Sequence, residues 1–104
     1  MIAMKHVLTV GLVWAALGAQ AGPVEDIMMK GGCVACHSVD KKMMGPSYKD
    51  IAAKYKGQDA TAKLMEKVRK GGGGVFGPTP MAPTPATKIN DADLKTVVEA
   101  ILKS

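Results

Sequence analysis

The sequence has 104 residues, of which 47% are hydrophobic and only 4% aromatic. It carries 14 Lys and Arg residues against nine Asp and Glu residues, a formal net charge of +5. A chain of this length forms one small domain at most, which excludes any architecture that needs two.

The first 21 residues have the pattern of a cleavable secretory signal. Lys5 precedes an uncharged stretch at residues 7–17, and the small residues Ala19 and Ala21 stand where a signal peptidase cuts. We expect cleavage after Ala21, so that residues 22–104 form one soluble periplasmic domain. The alternative is an uncleaved membrane anchor, because the uncharged run extends to Val24 and reaches roughly 18 residues, the length at which a membrane span is first considered.

Four helical patterns separated by Gly and Pro predict an all-α fold. The first helix opens at Pro23, has acidic residues in its first turn and ends at the glycines 31–32. The second begins behind Ser47, which forms a capping box with Asp50, and ends at Gly57. The side chains that these two helices are expected to bury are Val24, Ile27, Met28, Tyr48, Ile51, Ala52 and Tyr55.

The third and fourth helices flank a long segment without periodicity. The third is predicted from an N-cap at Asp59 to Lys70, and the fourth is capped by Asn90 and is expected to pack on the first. Its apolar stripe consists of Leu94, Val97, Val98, Ile101 and Leu102. Segments as long as residues 71–87 are usually disordered or functional, and the four prolines of this one favour a stiff, extended path.

Chemistry is concentrated at Cys33, Cys36 and His37, which form a Cys-x-x-Cys-His pattern with the only two cysteines of the chain. This is the attachment pattern of c-type haem. Residues i and i+3 of a helical turn share a face, so both sulfurs reach the two vinyl groups of one porphyrin edge and His37 can ligate the iron. A covalent haem also supplies apolar volume to a domain that keeps only three aromatic side chains.

Three other readings compete for the two cysteines. A thiol–disulfide oxidoreductase normally uses a βαβ scaffold, and no strand pattern is present. A zinc site lacks a second pair of ligands, because His6 lies in the signal. A structural disulfide between Cys33 and Cys36 would close so short a loop that it would stabilise the fold little.

Methionine is the expected second axial ligand, because His6 is removed with the signal. Six methionines remain, namely Met28, Met29, Met43, Met44, Met65 and Met81. The helical ones are expected to fill the core or, for Met29, to be partly covered. Met81 lies in the stiff loop 44 residues beyond His37 and is favoured, while Met43 and Met44 in the loop after the attachment pattern remain alternatives.

With these residues in view, the chain from about residue 24 to 104 resembles a short bacterial class I cytochrome c of the c-551/c-552 type. The matching stretches are residues 32–37, 42–50 and 74–81. The resemblance implies four to five short helices wrapped around one haem, with thioether bonds from Cys33 and Cys36 and axial ligation by His37 and Met81. It also implies that the carbonyl of Pro46 accepts the proximal imidazole N–H, which orients the ring.

One position departs from that family pattern. The aromatic residue before Gly-Pro is often Trp in related cytochromes, whose indole N–H can reach a haem propionate, whereas this chain has Phe76. A phenyl ring can fill the volume but cannot donate a hydrogen bond.

These observations predict a one-electron carrier rather than an enzyme, because a low-spin haem with both axial positions filled has no open site for substrate. Nine basic residues in the middle of the chain point to redox partners with acidic docking surfaces, and nucleic acid is not expected. They are Lys41, Lys42, Lys49, Lys54, Lys56, Lys63, Lys67, Arg69 and Lys70. We expect a monomer, and the alternative function is a haem enzyme or ligand sensor whose methionine leaves the iron.

Overall fold

A computed structural model describes residues 22–104, and the predicted signal at residues 1–21 lies outside them. The described chain forms four α-helices, and a 3₁₀ turn at Cys33–Ala35 follows the first. The helices are α1 (Pro23–Lys30), α2 (Tyr48–Lys54), α3 (Thr61–Lys70) and α4 (Asp91–Leu102). Residues 22–104 contain no β-strand, only an isolated bridge between Gly72 and Met81, so the all-α prediction is confirmed.

Two helices begin where their capping residues predict. The hydroxyl oxygen of Ser47 accepts the backbone N–H of Asp50 at 3.1 Å, and the side-chain oxygen of Asn90 accepts that of Asp93 at 2.8 Å. Each bond satisfies a donor that the first helical turn leaves without a backbone partner. Both predicted starts are therefore confirmed.

The start of α3 differs from its prediction. The helix begins at Thr61 and not behind Asp59, and its N-cap residue Ala60 makes no side-chain hydrogen bond. Ala60 is almost completely buried, and its carbonyl accepts the N–H of Leu64 at 2.9 Å. Burial of this small side chain against the core thus sets the first turn and leaves Asp59 exposed outside it.

Helix α4 is the centre of the core, and it packs against α1, α2 and α3. Leu94, Val97 and Val98 are almost inaccessible, which confirms both the apolar stripe and the packing of the last helix on the first. The other buried apolar side chains are Met28, Tyr48, Ile51, Ala52, Tyr55, Ala60 and Ile89. Val24 and Ile27 are only partly covered, at the edge of this core.

None of the helices within residues 22–104 is long and apolar enough to cross a bilayer.

Candidate haem-binding site

The attachment pattern lies in one tight turn directly after α1. Gly32 takes a left-handed conformation, with φ of 75°, which a side chain would disfavour and which turns the chain out of the helix. The carbonyl of Cys33 then accepts the N–H groups of Cys36 at 3.2 Å and His37 at 3.0 Å. Both thiols are half-buried, so this turn brings two sulfurs and one imidazole together on a short stretch of backbone.

The imidazole of His37 is oriented by two neighbours. Its Nδ1 lies 2.7 Å from the carbonyl oxygen of Pro46, and because a carbonyl only accepts, Nδ1 carries the proton. The ring also stacks on Tyr48, with centroids 5.7 Å apart and planes 24° apart. With Nδ1 engaged, Nε2 is the nitrogen left to bind a metal.

Gly45 sits against the edge of the His37 ring and permits this arrangement. A Cβ at Gly45 would come within 2.8 Å of Nδ1 and 3.0 Å of Nε2, and closer still to Cε1. Its backbone N–H donates to the carbonyl of Cys36 at 2.8 Å, which folds residues 37–45 back on the turn. The absence of a side chain here is therefore a requirement of the imidazole's position.

Tyr48 was expected only as a buried residue of the second helix, and the structure adds a contact with the site. Its hydroxyl is buried and has no hydrogen-bond partner within residues 22–104. Burial, with a smaller contribution from the neighbouring Cys33, raises the pKa of Tyr48 to about 12. Burial likewise raises the pKa of the Cys33 thiol. The hydroxyl is thus neutral at ordinary pH.

Met81 lies on a second segment, which returns from the end of α3. Its backbone pairs with Gly72 in both directions, at 2.9 Å for the N–H of Gly72 and 3.0 Å for the N–H of Met81. Three residues later, the N–H of Thr84 donates to the carbonyl of Val68 at 2.9 Å. The side chain of Met81 is half-buried, and the segment that carries it is held to the last turn of α3.

Phe76 stands near the tip of this same segment. The N–H of Gly74 donates to the carbonyl of Gly77 at 2.8 Å and closes a turn around it. The ammonium of Lys54 on α2 lies 5.6 Å from the centroid of the phenyl ring, within the range of a cation–π contact. The tip is therefore tied to α2, a contact that no local pattern in the sequence indicates.

Large apolar side chains are exposed along both segments. Six of them lie in or after the attachment turn or at the tip of the second segment. They are Val34, Val39, Met43, Met44, Val75 and Phe76. Met29 on α1 is also exposed, whereas it was predicted to be partly covered. Two thiols, an imidazole with a free Nε2 and exposed apolar side chains on two loop segments are the donors and contact groups that a haem requires.

The model of the cytochrome c family matches residues 23–103. The chain belongs to the cytochrome c family. It is 53% identical over 85 residues to a cytochrome c2 of Rubrivivax gelatinosus, which covers 81% of this chain and 99% of that protein. It is 41% identical over 101 residues to a cytochrome c-551 of Pseudomonas aeruginosa, with 96% and 93% covered. The crystal structure of Nitrosomonas europaea cytochrome c552 superposes with a TM-score of 0.67 at 43% identity, covering 75% of this chain and 95% of that one.

Membership of the family identifies the cofactor as one covalent haem c and the chain as a haem-containing electron carrier. Cys33 and Cys36, its only cysteines, have the spacing for thioether attachment. Family membership therefore supports the haem hypothesis for the two cysteines over the three alternatives, which were a zinc site, a structural disulfide and thiol–disulfide exchange.

Proposed function

We propose that this member of the cytochrome c family is a periplasmic carrier whose haem c is ligated by His37 and Met81 and attached through Cys33 and Cys36. The observation that carries the proposal is the 2.7 Å contact between Nδ1 of His37 and the carbonyl oxygen of Pro46. His37 lies in the same turn as the two thiols. When bound, the low-spin haem supplies one-electron exchange between ferric and ferrous iron. The chain needs only to hold both ligands and keep water out.

Pro46 is proposed as the residue that orients the proximal ligand. Its carbonyl accepts the proton of Nδ1, which selects the tautomer with a free Nε2 and raises the basicity of that nitrogen. Tyr48 stacks on the same ring and limits its rotation. These two contacts would hold the imidazole in one orientation toward a bound haem.

Met81 is proposed as the second axial ligand because its segment is held beside the end of α3 by backbone hydrogen bonds. Its backbone pairs with Gly72 in both directions and its side chain is half-buried. Met43 and Met44 have side chains that are 46% and 68% exposed, in a loop directly after the attachment turn. Phe76 is proposed to cover the haem on the same segment as Met81, without the hydrogen bond that a Trp could donate.

The ligand assignment is tested by Met81→Ala, with Met44→Ala as the matched control. In the oxidised protein we expect Met81→Ala to abolish the methionine–iron charge-transfer absorption and to increase the affinity for added imidazole, and Met44→Ala to change neither. A normal charge-transfer absorption in Met81→Ala would reassign the ligand. Tight binding of small ligands by the unmodified protein would favour the ligand sensor or haem enzyme instead.

The haem itself is tested by export from a host that matures c-type cytochromes. A denaturing gel stained for haem and a reduced-minus-oxidised spectrum should show a covalent, six-coordinate cofactor. Cys33→Ala should lose most of the stained band. Colourless protein from a competent host would contradict the attachment through Cys33 and Cys36.

The periplasmic location is proposed from the signal pattern of residues 1–21. We expect the haem protein in the periplasmic fraction as a soluble monomer whose N-terminus is Gly22, as N-terminal sequencing and sedimentation would measure. Recovery of the full-length chain in the membrane fraction would support the uncleaved anchor.

Acidic docking surfaces on the redox partners are proposed from the basic residues of the middle of the chain. Within residues 22–104, three of the nine are engaged in ion pairs, Lys49 with Asp40, Lys70 with Glu66 and Arg69 with Asp91. The six that make no ion pair there are Lys41, Lys42, Lys54, Lys56, Lys63 and Lys67. Of these six, Lys54 lies over the ring of Phe76 and Lys63 over that of Tyr55, so within the described residues Lys41, Lys42, Lys56 and Lys67 are the cations left to a partner.

The docking proposal is tested with an anionic oxidant, hexacyanoferrate(III), at rising ionic strength. We expect its reaction with the reduced protein to slow toward an ionic strength of about 0.1 M, where the Debye length is about 10 Å. Replacing Lys41 and Lys42 by Gln should slow the low-salt rate more than replacing Lys88 and Lys103, which removes the same charge elsewhere. Equal effects of the two double variants would reduce the steering to net charge alone.

A further inference from the structure

The segment that carries Met81 is fastened to the last turn of α3 by a short antiparallel return. Gly72 and Met81 exchange two backbone hydrogen bonds, and the N–H of Thr84 donates to the carbonyl of Val68 at 2.9 Å. These bonds use backbone groups at and beyond the end of α3 that the helix itself leaves without partners. They hold both Met81 and Thr84 beside the C-terminal end of α3.

Arg69 lies across this return. Its Nη1 donates to the carbonyl of Thr84 at 3.2 Å, and its Nη2 donates to the Oδ1 atom of Asp91 at 2.7 Å, at the start of α4. Its side chain is only 22% exposed, although the neighbouring Lys70 is 74% exposed. Arg69 was expected among the docking cations, but it is mostly covered and committed to two partners.

The planar fork of a guanidinium suits this position, since it can donate to two acceptors at once with its geometry already set. One acceptor is on the Met81 segment and the other is on α4, which is the most deeply buried helix. Thr84 is itself buried, so its carbonyl would be costly to leave without a partner. Arg69 thereby joins the segment three residues beyond Met81 to the core.

We propose that Arg69 is a positioning residue for Met81, which keeps the methionine sulfur from leaving the iron by holding the carbonyl of Thr84 to α3 and α4. The proposal rests on Met81 as the axial ligand. When the Met81 segment moves away from α3, the bond from Arg69 to Thr84 must break together with the backbone bonds, which adds to the cost of that movement. Removing the guanidinium therefore lowers the cost of opening.

The test is the dissociation constant of imidazole for the oxidised holoprotein, because imidazole binds only when methionine leaves. We expect Arg69→Gln to tighten imidazole binding about tenfold, the factor that corresponds to about 1.4 kcal/mol and to the loss of one hydrogen bond from a charged donor. Lys70→Gln is the matched control. It removes the same charge at the next position, and within residues 22–104 the one ion pair of Lys70 is with the exposed Glu66, at 2.6 Å. We expect it to change the constant less than twofold.

Asp91→Asn provides a second variant that leaves the guanidinium in place. Asp91 is exposed, so this change spares the core and only frees one end of the fork. We expect it to tighten imidazole binding about two- to threefold, between the other two variants. It keeps the proposal testable if Arg69→Gln does not accumulate as folded protein.

All variants are compared at temperatures where circular dichroism shows them fully folded, so that a purely structural role of Arg69 would change the unfolding midpoint and leave the imidazole constant unchanged. That outcome, or equal constants for Arg69→Gln and Lys70→Gln, overturns the proposal.

Met81→Ala distinguishes a failure of the ligand assignment from a failure of the role of Arg69. If it retains the charge-transfer absorption, the ligand assignment fails and this proposal with it, whereas if it loses the absorption while Arg69→Gln binds imidazole normally, only the role of Arg69 fails.

Discussion

Gly45→Ala tests the geometry of His37, the proposed proximal ligand. The added Cβ would lie 2.8 Å from Nδ1 of His37 and nearer to Cε1, distances at which something must move. The ring is stacked on Tyr48 and bonded to the Pro46 carbonyl at 2.7 Å, so it cannot yield without disturbing one of these contacts. Overpacking of this kind costs about 1–3 kcal/mol, and at about 4–8 °C per kcal/mol for a small domain we expect the unfolding midpoint to fall by roughly 5–20 °C.

The same substitution should raise the reduction potential. A carbonyl acceptor at Nδ1 makes the ligating nitrogen more basic, which favours ferric iron, and a displaced ring loses part of that effect. Spectroelectrochemical titration measures the potential, and thermal denaturation of the oxidised protein measures the midpoint. Gly31→Ala is the control, because Gly31 has a φ of −73° and a Cβ there meets its nearest neighbours at 3.4 Å. If both variants gave the same midpoint and potential, the proposed constraint on His37 would be wrong.

Three further tests address the helix cap, the buried hydroxyl and the tip of the Met81 segment. Ser47→Ala removes the acceptor of the Asp50 N–H and should lower the free energy of unfolding in urea by about 0.5–2 kcal/mol, and an unchanged value would argue against the cap. Tyr48→Phe removes a buried hydroxyl without a partner in residues 22–104, so we expect stability in urea to hold or rise, and a loss above about 1 kcal/mol would contradict this. Phe76→Leu should cost about 0.5–1 kcal/mol in the same assay and should make a second change, Lys54→Gln, nearly silent; full additivity in this double-mutant cycle would exclude the cation–π contact.

The features that could be predicted from the sequence are those determined within a few residues. Ser47 and Asn90 cap their helices through bonds to the residue three positions later. A contact over so short a separation can be predicted without knowledge of the fold. The attachment turn is equally local, because Cys33 bonds to Cys36 and His37 through its own carbonyl. Periodicity adds the buried face of α4, since its apolar residues recur at helical spacing.

The start of α3 shows where local reasoning fails. Asp59 is a good capping residue by type, yet the first turn begins one residue later than a cap at that position requires. The buried position of Ala60 against the core outweighs the capping preference of Asp59. Capping contributes about 1 kcal/mol, so tertiary packing readily overrides it.

The contacts that hold the Met81 segment could not be predicted, because they join residues far apart in the chain. Arg69 meets Thr84 and Asp91, which are 15 and 22 residues away, and no spacing rule links an arginine to a backbone carbonyl at that distance. From the sequence alone, Arg69 could not be distinguished from the lysines around it. Its burial is what separates a positioning role from a docking role.

The two halves of the site are therefore built by different kinds of contact. On the His37 side, the bonds from Gly45 to Cys36 and from His37 to Pro46 each join residues nine positions apart, and the ordering cost of such short loops is small. On the Met81 side, the segment after α3 is held by a few backbone bonds, those between Gly72 and Met81 and the one from Thr84 to Val68. The residues between Gly72 and Met81 are exposed. Regions held in this way open at lower free energy than the core. With His37 and Met81 as the proposed ligands, this construction would release the methionine before the histidine, and the residues around Arg69, more than those around Cys33, would determine how firmly both ligands are held.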